Sequence, residues 1–432
     1  MIEQFEDMLH PAPDTDDQQT TSYKSVAPFY AFAALSLLLA CVLLFVHQDM
    51  FKQHHFHPHT LAITHLMALG WGTMMILGAS YQLLPVLIES KLSSEGLARI
   101  SFVLSGIGIP LLVFAFYHFR TGWPMQTGAV LVNLGVACFL SNVWSSIWEK
   151  GKADVHSVFM ATAALWLFST TLFGLLLVFN FNYPLLPADS ISYLSLHAHM
   201  GIAGWFLLLM TGVASRLIPM FLISKYSSNK TLWWIFGLIN GGLLAFIFME
   251  SSNAPGTWFY VPLLLTGTAL GLFGRFCYKA WAARIRKSVD DQMKLSLLSV
   301  ALMVVAMISL VSVLLLASGS QVPGIVMLYG FSIFFGWLTA LILGMTFKTL
   351  PFIIWNKVYH HASGDIPAPK DLFSAPLFRW MLAVYLPGYL LVIIGILLQW
   401  DWILKAGTSC LLIAAVLYVC NVAITITHKS RT

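Results

Sequence analysis

The chain has 432 residues, of which 58% are hydrophobic, 14% aromatic and only 9% charged, with a formal charge of +5. Soluble globular chains carry about 25% charged residues, so a water-soluble fold is excluded, and with it a soluble multi-domain reading of the length. The small positive charge reads as loop charge that orients a membrane chain, not as a nucleic-acid surface.

Residues 1–25 are polar and acidic, without a basic-then-apolar leader layout, and read as a disordered cytoplasmic tail. The remainder, 26–430, reads as one transmembrane domain. Its apolar segments fall at about 26–47, 58–88, 98–118, 122–147, 154–179, 193–223, 231–250, 256–281, 295–318, 322–354, 374–398 and 401–427. Each is long enough to cross about 30 Å of hydrocarbon as a helix. Alternating segments of the barrel type are absent, so the predicted fold is an all-α integral membrane protein with twelve transmembrane helices. Basic residues such as Lys91, Arg99, Lys225, Lys230, Arg284, Lys294, Lys357 and Arg379 gather in alternate loops, and the opposite side has chiefly Lys52 and Arg120. That bias predicts cytoplasmic N- and C-termini; the expected location is a bacterial inner membrane. The five cysteines (Cys41, Cys138, Cys277, Cys410 and Cys420) lie in apolar stretches with no CxxC spacing, so neither a disulfide framework nor a thiolate metal site is indicated.

An internal repeat organises the chain. HLMALGWGTMMILGASYQLLPVLIESK, from His65, aligns without gaps on HMGIAGWFLLLMTGVASRLIPMFLISK, from His199, and on FSIFFGWLTALILGMTFKTLPFIIWNK, from Phe331. Five columns are identical in all three: Gly70/Gly204/Gly336, Trp71/Trp205/Trp337, Gly78/Gly212/Gly344, Pro85/Pro219/Pro351 and Lys91/Lys225/Lys357. Leu and Val match by composition alone, but Trp, Pro and Lys at fixed spacing do not. The copies fall on the second, sixth and tenth spans, so the unit is four helices, at about 26–153, 154–290 and 291–430. Three parallel units imply pseudo-threefold symmetry about the membrane normal.

Fourteen histidines stand beside only 18 acidic residues, and ionisable groups inside a membrane are functional hypotheses by default. His65 and His199 share a repeat column, hence a depth of about 10 Å below the helix start. Two imidazoles at one depth on neighbouring repeats suit the axial positions of a haem. His197 points about 200° away round its helix and serves another purpose. The tract FKQHHFHPH adds His54, His55, His57 and His59, of which His57 and His59 are the better candidates for Cu or Zn. His118 reads as interfacial, and His360 and His361 as loop residues. His10, His47, His156 and His428 have no evident partner in the sequence.

The segment HAHMGIAGWFLLLMTGVASRLIPMF resembles the histidine-pair helix of heme-copper oxidase subunit I, especially in the nitric-oxide-reductase branch. The His65 segment, ending GASYQLLP, is similar to that branch's low-spin-haem helix. The resemblance covers nearly all of 26–430 and implies twelve helices in three four-helix arcs. It implies that His199 and His65 are the two axial ligands of a low-spin haem, of b type, and that His197 is the proximal ligand of a second, high-spin haem. The same residues, with His59 and His57, are then the metal-binding set, and copper or non-haem iron remains open as a second metal. Electrons would come from a donor protein or quinol, for electron transfer or for NO or O2 binding or reduction near the outer face.

The departures from that family are specific. The pair sits on the sixth span rather than the tenth, which has Tyr329 and Phe331, and no His-His pair follows on the seventh. Embedded carboxylates for proton channels are missing too, since Glu89, Glu250 and Asp401 lie near span ends, so a proton-pumping enzyme is not expected. Two other classes stay open: a transporter for copper or another metal, suggested by discontinuities near Pro85, Pro219 and Pro351, and a non-catalytic assembly subunit. Arg216 and Lys348, in the column of Gln82, are expected to line a polar vestibule.

Overall fold

A computed structural model describes residues 21–88, 91–151, 154–252, 254–285, 287–316, 322–359 and 366–429. Among the described residues twelve helices are long and apolar enough to cross a bilayer. They are α1 (Tyr23–Val46), α2 (Pro58–Pro85), α3 (Glu95–Tyr117), α4 (Trp123–Glu149), α5 (Val155–Asn180) and α6 (Ser190–Leu222). The second half supplies α7 (Asn229–Ser251), α8 (Gly256–Ala282), α9 (Asp291–Leu316), α10 (Gly324–Tyr359), α11 (Ala375–Leu398) and α12 (Asp401–Ile426). The only extended pairing in the described chain is a single bridge between Ser224 and Arg284. This is the architecture of an integral membrane protein. Trp148 (87% exposed), Trp123, Phe248 and Leu264 stand outward on these helices, as lipid-facing and interfacial side chains do.

Helix ends follow local chemistry. Pro58 opens α2 at its first turn, where its missing N–H is no loss. Asp154 caps α5 by accepting from the Ser157 amide at 2.8 Å. Ile223 turns left-handed (φ 50°) and ends α6, its neighbour Ser224 donating back to the Pro219 carbonyl at 2.8 Å. Helix α10 runs on to Tyr359, past its expected end at 354. Its last turn is tied down by Trp355 Nε1 on the Pro367 carbonyl (2.6 Å) and by Tyr359 hydrogen-bonded to His428 (2.9 Å).

The prolines do not interrupt their helices. Pro85 and Pro351 lie within continuous α-helix, and α6 continues three residues past Pro219. A proline withdraws one N–H, and the freed carbonyl is readily satisfied within a bundle. The irregular turns lie upstream instead, at the repeat column of His65, His199 and Phe331.

The chain forms two compact units. One comprises Thr21, Tyr81–Ser105 and Ala129–Val289, and so holds α5 to α8; the other comprises Ser22–Ser80, Gly106–Gly128 and the chain from Asp290, and so holds α1 and α9 to α12. Each unit contains the same clamp. In the first, the Asn142 amide accepts from the Ser94 N–H (3.0 Å) and donates to the Ser94 carbonyl (2.7 Å). In the second, Asn421 does so with Ser374, at 2.8 and 2.9 Å. A buried amide thus satisfies the N–H that the helix start leaves unpaired at the entry of α3 and of α11, and adds a second donor to the carbonyl of the same residue.

Candidate functional site

Three helices change winding at one column of the sequence repeat. In α2 the α-helix reaches His65, and Leu66–Thr73 is π-helical before α-winding resumes. In α6 the α-helix ends at His199, followed by π-winding over Met200–Leu207. In α10 it ends at Phe331, followed by π-winding over Ser332–Leu338. Such turns shift the ladder from i→i−4 to i→i−5, and are frequent at functional sites. The repeat glycine within each turn has a neighbour against it. A Cβ would come 2.7 Å from Ser36 Oγ at Gly70, 2.7 Å from Trp166 Cγ at Gly204 and 2.7 Å from Tyr389 Oη at Gly336. Only glycine lets these helices approach so closely.

His65 and His199 have the same local geometry. His65 Nδ1 lies 2.8 Å from the Leu61 carbonyl, and His199 Nδ1 lies 2.8 Å from the Ser195 carbonyl. A carbonyl only accepts, so in both rings Nδ1 carries the proton and the neutral imidazole has its lone pair on Nε2. Each ring also lies on a phenylalanine. His65 stacks on Phe116 of α3 at 4.3 Å and 23°, and His199 meets Phe246 of α7 at 4.7 Å and 45°. These rings are half-buried. A fixed Nδ1–H with Nε2 as donor atom is the state a metal-ligating imidazole needs, so the donor chemistry fits a haem iron.

His197 has different surroundings. Its ring packs against α5, where a Cβ on Gly174 would lie 2.8 Å from His197 Cε1. The two imidazoles of the HxH pair therefore touch different helices, α5 and α7. At the third turn an aromatic stack occupies the corresponding place. Phe331 lies on Phe335 (5.1 Å, 18°) and Tyr389 (5.6 Å, 14°), with Phe51 edge-on at 5.8 Å. The carbonyls of this turn are satisfied by hydroxyls: Thr339 on Phe334 (2.6 Å), and Tyr385 on Phe335 (2.6 Å) and Gly336 (3.1 Å).

The other histidines sort differently from the sequence reading. His47 is not solitary. Its Nε2 hydrogen-bonds Tyr117 (2.9 Å), and its ring lies 3.8 Å from that of His59, which in turn is 4.9 Å from His57. His156 bonds the Gly212 carbonyl and Ser215, both at 3.2 Å, and His428 bonds Tyr359. All three partnerships join residues 56 or more apart in the chain and so leave no local trace in sequence. His54 takes the Phe56 amide on Nδ1 at 3.2 Å, and burial together with His54 lowers the basicity of His55. His10, His360 and His361 lie outside the described residues, as does the Glu89 side chain. Lys348 pairs with Asp290. Asp401 likewise pairs with Lys52 at 2.6 Å. Among the described residues, no three His, Cys, Asp or Glu side chains are arranged, as they lie, to hold a metal ion.

Sequence reasoning missed the platforms Phe116 and Phe246, and the residues His47 and Tyr117. The ungapped repeat sets Glu250, not Phe246, opposite Phe116, so the repeat alignment does not reveal the two platforms as a pair. No protein-family model matches the chain, and no curated protein is similar to it in sequence.

Proposed function

We propose that the protein is a haem-binding integral membrane protein similar to heme-copper oxidase subunit I, built from three four-helix repeats with pseudo-threefold symmetry. The observation that carries the haem reading is the shared imidazole state. In two copies of one repeat column, a histidine at the mouth of a π turn has Nδ1 held by its i−4 carbonyl, which puts the lone pair, and so the donor capacity for a metal, on Nε2. The repeat itself is supported by the π turns at one column, by the three close glycine contacts and by the two Asn–Ser clamps.

In this reading His65 and His199 would be ligands of a low-spin haem, and His197 would be a ligand of a second, high-spin haem. Bound haem would supply one-electron chemistry and, where a coordination place stays open, binding of a diatomic gas such as NO or O2. The chain's own residues do the positioning. The Leu61 and Ser195 carbonyls hold tautomer and ring direction, while Phe116 and Phe246 wall one side of each imidazole and limit water. The function that follows is electron transfer, or NO or O2 binding or reduction, near the outer face of a bacterial inner membrane, with electrons from a donor protein or quinol.

The test is optical. Protein purified from haem-replete cells is expected to give a sharp α-band in the dithionite-reduced minus oxidised spectrum. Carbon monoxide is expected to shift part of the spectrum in the wild type but not in His197→Ala. Protein that shows no haem absorbance in either redox state overturns the reading.

A further inference from the structure

The junction between α1 and α2 gathers imidazoles that the haem reading does not use. His47 caps the end of α1, His57 is the N-cap of α2, and His59 lies in its first turn. Their rings form a continuous contact: His47–His59 at 3.8 Å and His57–His59 at 4.9 Å, with Tyr117 of α3 at 4.8 Å from His59 and bonded to His47. A second observation concerns hydrogen bonding. Among the described residues, the buried atoms Gln48 Oε1, His57 Nδ1 and Thr60 Oγ1 have no hydrogen-bond partner, and all three lie in this short stretch. Buried polar atoms are nearly always satisfied, and a cluster of exceptions calls for a ligand or ion.

We infer that His47, His57 and His59 form a binding site for a divalent transition metal of the borderline class, Cu(II) or Zn(II), separate from the repeat histidines. Imidazole nitrogens suit these ions, and the distances suit the reach. Ligating nitrogens stand about 2.0–2.1 Å from such a metal, which places two ring centres roughly 4–5 Å apart, near the His57–His59 separation. As they lie, His47 is tilted against His59 at 34° and His57 meets it edge-on at 78°, so the rings do not yet converge on one point. Closing on an ion takes only side-chain torsions, with His47 exchanging the Tyr117 hydroxyl for the metal. The proline at the first position of α2 fixes the backbone direction between His57 and His59, so little main-chain movement is required. His54 and His55 form a separate, outer pair, with rings 4.1 Å apart.

The experiment uses the full chain in detergent micelles, purified without a histidine tag, stripped with EDTA and dialysed against micromolar Cu(II). The wild type is expected to retain about one copper per chain by mass spectrometry, with nitrogen hyperfine splitting in its EPR spectrum and displacement by Zn(II). The His57→Ala/His59→Ala variant is expected to lose this copper while eluting normally on size exclusion and keeping the haem content of the wild type. The His54→Ala/His55→Ala variant is expected to keep the copper. A wild-type protein that retains no copper overturns the site, whatever the variants do. So does equal retention by the His57/His59 variant, or loss in the His54/His55 variant. Because haem is counted separately in each sample, failure here is distinct from failure of the haem reading.

Discussion

The π turns after His65 and His199 and the π turn after Phe331 share a backbone but not an occupant. At the first two, an imidazole is pinned by its own helix and backed by one phenylalanine from the third helix of the repeat. At the last, Phe331, Phe335 and Tyr389 stack face to face, and hydroxyls of Thr339 and Tyr385 satisfy the carbonyls. The same winding therefore carries an imidazole on a phenylalanine in two copies and a closed aromatic stack in the third. The winding alone does not decide which.

The largest expected effect breaks this comparison directly. His65→Ala and His199→Ala should each abolish the low-spin absorbance of the purified protein, whereas Phe331→Ala should leave the visible spectrum unchanged. Next comes Phe331→His. An imidazole there could bond its own i−4 carbonyl as His65 does, but it puts a polar ring in place of one packed among Phe51, Phe335 and Tyr389, so thermal unfolding in detergent should show a loss of about 1–3 kcal/mol with no gain in haem. A similar loss, about 1–3 kcal/mol from overpacking, is expected for Gly204→Ala, whose new methyl would meet Trp166 at 2.7 Å. Gly237→Ala, with nothing within 4 Å, should be neutral or slightly stabilising in the same assay. The smallest loss belongs to Tyr385→Phe. Removing the donor to the Phe335 and Gly336 carbonyls should destabilise by about 0.6–1.7 kcal/mol, the range of interhelical hydrogen bonds in membranes.

Much of this fold is legible from composition and period, because a membrane helix is specified by a run of apolar residues. All twelve spans fall where hydropathy places them, and only ends such as Tyr359 move, where tertiary contacts hold an extra turn. The repeat glycines are legible as matched columns, although their neighbours (Ser36, Trp166 and Tyr389) are not. The π turns are invisible beforehand, since i→i−5 winding has no residue signature and here follows His in two cases and Phe in the third. Lys348 illustrates a further limit. Its ion-pair partner, Asp290, lies 58 residues earlier and leaves no local sign in the sequence. The His47–His59–Tyr117 contact is hidden for the same reason: it is assembled from three helices, and spacing within one helix says nothing about it.

The central claim, that His65 and His199 are haem ligands, is tested most directly by counting haem. Pyridine haemochrome analysis of the full chain, purified from haem-replete cells, should give at least about one haem per chain in the wild type, with a lower count in each of His65→Ala and His199→Ala. Colourless wild-type protein, or an undiminished count in both variants, would contradict it.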